Sequence, residues 1–162
     1  MYNVKKVNED LYWIGASDRR LALFENIYPI PRGVSYNSYV IMDEKIAVMD
    51  TVDAHFAEEW LGNVAKVLNG AKPDYLVVQH MEPDHAANIE NFVKAYPEVT
   101  VVANTKTFTM MENFFRNMDL GDRKLVVANG ESLTLGKHVL TFVFAPMVHL
   151  SLIHISEPTR PI

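Results

Sequence analysis

An α/β layered fold built on a mixed sheet is the class the sequence predicts, and three observations predict it. Short β-rich segments separated by turn residues fill the beginning of the chain. From Asp53 onward apolar residues recur at helical spacing, and the later chain alternates short apolar runs with helical patterns. Strands that alternate with helices build parallel pairs with crossover helices, whereas the opening hairpins must pair antiparallel, so the sheet is mixed rather than purely parallel.

The elements follow in order. Val4 to Val7 and Leu11 to Ile14 read as strands on either side of the turn-like Asn8-Glu9-Asp10. Ser17 to Val34 reads as an ordered irregular loop anchored by Tyr28, Pro29 and Pro31. Tyr36 to Met42 and Lys45 to Asp50 form a hairpin turned at Asp43-Glu44. Phe56, Trp60, Leu61, Val64, Val67 and Leu68 fall on one helical face, with Asp53 as N-cap and Gly70 as stop. "YLVVQ" (75–79) is a short strand buried on both faces. A helix over 86–95 carries Ile89, Phe92 and Val93 until Pro97 ends it. Strand 99–104, helix 105–118, strand 124–128 and a hairpin over 131–146 complete the pattern, with no internal repeat or low-complexity linker. Trp60 and the Met110, Met111 and Phe114 stripe read as core.

The 162 residues suit one domain or a piece of something larger. A content of 49% hydrophobic and 22% charged residues is that of a globular protein, and a net charge of −5 gives no support for a nucleic-acid surface, which needs a basic stripe. With no cysteine, disulfides, iron–sulfur clusters and thiolate sites are excluded, so any metal is held by nitrogen and oxygen. Met1 to Lys6 is not followed by the apolar core of a signal peptide, and no segment reaches the roughly 18 apolar residues of a membrane helix. Cytoplasmic location, with no membrane or nucleic-acid partner, is the expectation.

The chemistry concentrates in "VVQHMEPDHAANI" (77–89), where His80, Glu82, Asp84 and His85 follow a buried strand. Strand-to-helix loops are where α/β sheets gather functional side chains. In an extended stretch His80, Glu82 and Asp84, at alternate positions, would point the same way, with His85 approaching from the helix start. Two neighbouring carboxylates raise each other's pKa unless a cation sits between them, which favours one metal ion or two sharing ligands over a merely solvated loop. Imidazole-rich sites suit zinc; carboxylate in place of imidazole shifts preference toward harder, redox-active iron or manganese. The chemistry then moves from hydrolysis toward reduction of a small oxidant.

"HMEPDH" resembles the His-x-Glu-x-Asp-His motif of the flavodiiron proteins, where metallo-β-lactamase hydrolases read His-x-His-x-Asp-His. "LYWIGASDRRLALFENIYPIP", "GVSYNSYVI", "VMDTVD" and "APMVH" are similar to that family too, so the likeness runs over residues 1 to about 149. The resemblance implies a metallo-β-lactamase-like αββα sandwich, of which this chain is the N-terminal portion. It implies two iron ions, with His80 and Glu82 on one and Asp84 on the other. His149 matches the third histidine of the first iron, and His85 matches a position that is a ligand in some members and displaced in others. Asp50 resembles a buried aspartate that braces the ligand loop without ligating, while His55 and His138 match no ligand position and read as surface residues. The implied activity is an oxidoreductase that reduces dioxygen to water or nitric oxide to nitrous oxide, for oxygen or nitric oxide detoxification. Electrons arrive from FMN in a flavodoxin-like domain, supplied by rubredoxin or a similar donor, in a head-to-tail homodimer. The alternatives are a zinc-dependent hydrolase of the same superfamily and a metal-free scaffold.

After His149 the family pattern continues with tryptophan and proline, whereas this chain reads "LSLIHISEPTRPI". Leu150 to Arg160 match the translation of a common sequencing adapter, so 150–162 is expected to be a non-native tail, and His154 and Glu157 are not ligand candidates. The expectation is therefore a fragment: 1–149 from the di-iron domain, the flavodoxin-like FMN domain absent, and the polypeptide by itself inactive.

Overall fold

The computed structural model describes residues 3–145 and the backbone of 156–158. β1 (Lys5–Lys6) and β2 (Leu11–Trp13) pair antiparallel. Asn8 sets the turn between them, its Oδ1 accepting from the amides of Asp10 at 3.0 Å and Leu11 at 2.8 Å.

The expected irregular loop is instead a ribbon. β3 (Ala16–Asp18) and β6 (Val34–Tyr36) pair antiparallel, and between them β4 (Leu23–Phe24) and β5 (Tyr28–Pro29) form a small hairpin. Glu25 and Asn26 take φ of 53° and 58° at its tip, the left-handed conformation that tight hairpin turns require. Tyr28, expected to anchor the loop, is 59% exposed. Strands of two or three residues are made by backbone bonds, and they are too short for side-chain alternation to register.

The predicted hairpin forms from β7 (Tyr39–Ile41) and β8 (Ala47–Met49), in register Val40↔Val48, and Tyr36 belongs to the preceding ribbon. Asp53 then caps a 3-10 turn, Ala54–Phe56, by accepting from the His55 amide at 2.9 Å. The turn runs into α1 (Ala57–Leu68), which ends at left-handed Asn69 (φ 46°) and Gly70 (φ 92°). β9 (Tyr75–Val77), α2 (Pro83–Ala86), α3 (Ile89–Ala95), β10 (Thr100–Ala103), α4 (Thr105–Phe114) and β11 (Lys124–Val126) follow. The Asn104 side chain caps α4 by accepting from the Thr107 amide at 2.8 Å.

Seven strands join in the order β1-β2-β7-β8-β9-β10-β11, antiparallel through β8 and parallel from β8 to β11. This is the mixed sheet the pattern predicts. Trp60 of α1 and Phe92 of α3 are fully buried with ring centroids 5.4 Å apart, among Ile14, Val40, Leu76 and Ile89. Full burial of such side chains contributes roughly 1.5–3 kcal/mol each. Met111 is buried as expected, but Phe114, placed in the same stripe, is 65% exposed because it sits in the last turn of α4.

A second sheet contains β12 (Ser132–Thr134), β13 (Val139–Phe142) and β14 (Ser156–Pro158), all antiparallel. β14 lies in the tail set aside as non-native. Edge pairing uses backbone groups, so it carries no information about the origin of that segment. His138 is not the free surface residue its position suggests. Its Nδ1 lies 2.6 Å from Asp43 Oδ2, joining the β12–β13 hairpin to the β7–β8 turn. Burial works against the Asp43 charge, but the ring and amide of His138, with the Glu44 and Lys137 amides, hold its carboxyl well below the usual range.

Candidate metal centre

Because β8 and β9 run parallel, their carboxyl ends meet at one edge of the sheet and two loops leave it side by side. Asp50, the first residue beyond β8, has φ of 55°, a conformation costing a non-glycine residue on the order of 1 kcal/mol. The surroundings hold it there. Its amide donates to Val77 O at 2.9 Å, and its carbonyl accepts from Ser38 Oγ at 2.9 Å, which in turn accepts from Trp60 Nε1 at 3.0 Å. The Asp50 carboxylate, 5% exposed, accepts from the Gln79 amide at 2.7 Å and lies 3.4 Å from His85 Nδ1.

The chain stays extended through Glu82 (φ −67°, ψ 149°), and Pro83 then opens α2, a first-turn place suited to its fixed φ and missing N–H. Asp84 and His85 therefore lie in a helical turn, not in the extended stretch from which Asp84 was expected to share a direction with His80 and Glu82. The helix also starts at Pro83 rather than at residue 86, and it breaks at Asn88 before α3. Asn88 is fully buried, and its Nδ2 donates to Val52 O at 2.8 Å and Asp53 O at 3.0 Å. Thr51 donates to His85 O from its amide at 2.8 Å and from its hydroxyl at 2.7 Å. These bonds stitch the 50–53 loop to the ligand loop.

Four of the five expected ligand residues lie among the described residues, and they meet in two pairs. His80 is 8% exposed, and its Nε2 lies 3.0 Å from Glu82 Oε2. His85 Nε2 is 3.5 Å from Asp84 Oδ2, and the two imidazoles stand edge to face with centroids 5.2 Å apart. His149 lies outside the described residues. Burial opposes protonation of His85, but the Asp50, Asp84 and Glu82 carboxylates outweigh it and raise the ring's pKa.

Among the described residues no group of three or more His, Cys, Asp or Glu side chains is arranged to hold a metal ion; the donors meet in pairs. The 3.0 Å and 3.5 Å separations are those of direct imidazole–carboxylate contacts. In chemical type, two imidazoles and two carboxylates on one loop are a donor set for a first-row divalent metal.

Asp50 has the bracing contacts expected of it. Sequence reasoning missed Thr51, Asn88 and Ser38. Asn88, just before an apolar helical run, carried the signal of an N-cap, but its side chain is spent on the neighbouring loop. His55 is exposed, beside Asp53 and remote from the ligand pairs in its contacts.

A family model described as "ODP family beta lactamase" matches residues 34–155. A nitric oxide reductase of Moorella thermoacetica is 34% identical over 144 residues, covering 88% of this chain and 36% of that protein. Rubredoxin oxygen:oxidoreductase from Desulfovibrio gigas superposes with a TM-score of 0.83 at 33% identity, over 91% of this chain and 36% of its own. The flavodiiron protein from Giardia intestinalis gives 0.82 at 30% identity, over 92% and 36% respectively. This chain spans about a third of the length of the relatives it matches.

Proposed function

Because the chain belongs to the ODP beta-lactamase family, as the match over residues 34–155 shows, we propose that it is the di-iron-holding part of a flavodiiron reductase. That reductase converts dioxygen to water or nitric oxide to nitrous oxide. The observation that carries this reading is the 77–89 loop, with Glu82 in the second ligand place and 3.0 Å from His80 Nε2. His80, Glu82 and His149 would hold one iron, and Asp84, with His85 beside it, would serve the other; bound iron would supply the redox chemistry.

What the chain itself contributes is position and charge. Glu82 and Asp84 offset the cationic charge that the metals bring. Asp50 orients the loop through the Gln79 amide and the His85 ring, the bracing task of a carboxylate behind metal-bound imidazole. Thr51 and Asn88 keep the two loops in register without touching the donors.

The rest of the proposal concerns the longer protein. Residues 1–149 are the N-terminal part of its di-iron domain, 150–162 are not native sequence, and further chain completes the sandwich and supplies an FMN-binding flavodoxin-like domain. Exposed Phe114, Val126 and Val143 are the kind of apolar surface that further chain would cover. Rubredoxin or a similar protein donates the electrons, a reading supported by the name of the Desulfovibrio relative. A head-to-tail homodimer brings the flavin of one subunit to the iron of the other. Leu23, Ile27 and Tyr28 on the β4–β5 hairpin and Leu21 just before it, each at least 41% exposed, suit a subunit contact. Among the described residues no helix is long and apolar enough to cross a membrane, and a cytoplasmic site of action is part of the proposal. The zinc-hydrolase alternative is not favoured, because the relatives named above are reductases.

The test is metal analysis of the complete protein together with Glu82→His. Two irons per chain are expected and, with a reductant supplied, consumption of nitric oxide under anaerobic conditions or of dioxygen. The histidine variant is expected to bind zinc in place of iron and to lose reductase activity at least about tenfold, since imidazole favours zinc and outer-sphere changes alone cost about that much. Zinc in the wild-type protein with hydrolase activity would sink the reading.

A further inference from the structure

The β3–β6 ribbon holds a second cluster of polar chemistry that the metal loop does not use. Its exposed face carries Ser17 opposite Ser35, in register, and one step further Arg19 runs alongside Gly33. Gly33 has φ of 81°, and a Cβ there would meet Asp18 O at 2.3 Å and Arg19 Cγ at 3.0 Å. Only glycine therefore lets the chain turn this close to Arg19, and the turn carries Arg32 out of strand alternation toward the same place. The result is a cavity of about 100 Å³ lined by Ser17, Asp18, Arg19, Arg32, Gly33 and Ser35.

The charges in this cavity do not cancel. Asp18 is already matched: Arg20 Nε and Nη2 reach its two oxygens at 2.9 and 2.6 Å, and Tyr36 Oη donates to Oδ2 at 3.1 Å. The Arg20 guanidinium also lies over the Phe56 ring, 5.0 Å from its centroid, so it is turned away from the cavity's needs. Arg19 and Arg32 make no ion pair among the described residues, although the chain as a whole carries a net charge of −5. Two guanidiniums without an ion pair and two hydroxyls around one small cavity present several N–H and O–H donors to any anion that enters. Guanidinium forks match the paired oxygens of phosphate and carboxylate.

We propose that this pocket binds a small oxyanion, a phosphoryl or carboxylate group gripped between Arg19 and Arg32, with Ser17 and Ser35 as hydroxyl donors. The site is separate from the metal loop in its residues and does not depend on the reductase reading.

Calorimetric titration of the complete protein with inorganic phosphate, and in parallel with acetate, at ionic strength matched with sodium chloride, tests it. Saturable one-site binding is expected, weakened about tenfold or more in Arg19→Gln and in Arg32→Gln and unchanged in Arg116→Gln, an exposed arginine elsewhere. Tighter phosphate assigns the site to phosphoryl groups, and tighter acetate assigns it to carboxylates. Circular dichroism of the two variants verifies that the exposed substitutions leave the fold intact. Heats that never saturate overturn the proposal. So does saturable binding that survives both arginine variants, because it would then belong to the metal loop or to unspecific charge.

Discussion

Asp18 is a carboxylate whose environment decides its charge. The hydrogen bonds from Arg20 are the main cause, and against the cost of burial they hold its pKa at about 2, below the ordinary 3.8. A depressed folded-state value means stability that is present above the unfolded pKa and lost as the pH falls through about 2. Arg20 is half exposed, so solvent screening leaves about 1 kcal/mol of this at neutral pH. Asp18→Asn is expected to lower stability by about that amount near neutrality, with the gap to wild type closing between about pH 4 and pH 2 in denaturant titrations. A gap that stays constant across that range would show that Asp18 acts by packing alone. The ligand residues belong to this scale too. His80, Glu82, Asp84 and His85 were legible because they sit within six successive positions, so local sequence brings them together whatever the fold. What could not be read was Asp84's direction, which depends on Pro83 opening a helical turn one residue earlier.

At the scale of elements, the junction of two loops is what positions the site. Thr51 and His85 are 34 positions apart, and Val52 and Asn88 are 36 apart, so no local pattern announces their bonds. Asn88→Ala would leave the Val52 and Asp53 carbonyls without their buried donor, a loss of about 1–3 kcal/mol. The expected outcome is a lower unfolding midpoint together with weaker iron retention on dialysis against a chelator, although Asn88 is not a ligand. Unchanged retention in a destabilised variant would mean that the stitch serves stability only. The ribbon at 16–36 makes the opposite point about legibility. Its strands are two or three residues long and their pairing is backbone chemistry, so the sequence reads as a loop. Helix α1 was legible because an apolar stripe and the Gly70 stop are local signals, although the Asp53 cap serves the 3-10 turn that leads into it.

For the molecule as a whole, the chain covers about a third of its relatives' length, and the proposed function assigns electron delivery to a flavin domain outside these 162 residues. The 162-residue polypeptide by itself is therefore expected to show no reductase activity with chemical or protein donors. Oxygen-electrode and nitric-oxide-electrode assays of the isolated polypeptide beside the complete protein check this. Turnover by the isolated polypeptide at the complete protein's rate would refute the two-domain reading.

The sequence by itself determined the mixed α/β class, most of the element order from the β7–β8 hairpin onward, and the loop on which His80, Glu82, Asp84 and His85 lie together. All of these follow from periodicity, caps and donor chemistry, which neighbouring residues carry between them. Tertiary structure alone decided which distant residues hold that loop, that the stretch after Asp18 folds into a ribbon, and that Arg19 and Arg32 face one cavity. The physical reason is that these depend on strand pairing and on a few buried hydrogen bonds between segments far apart in the chain, and such contacts exist only once the sheet has formed.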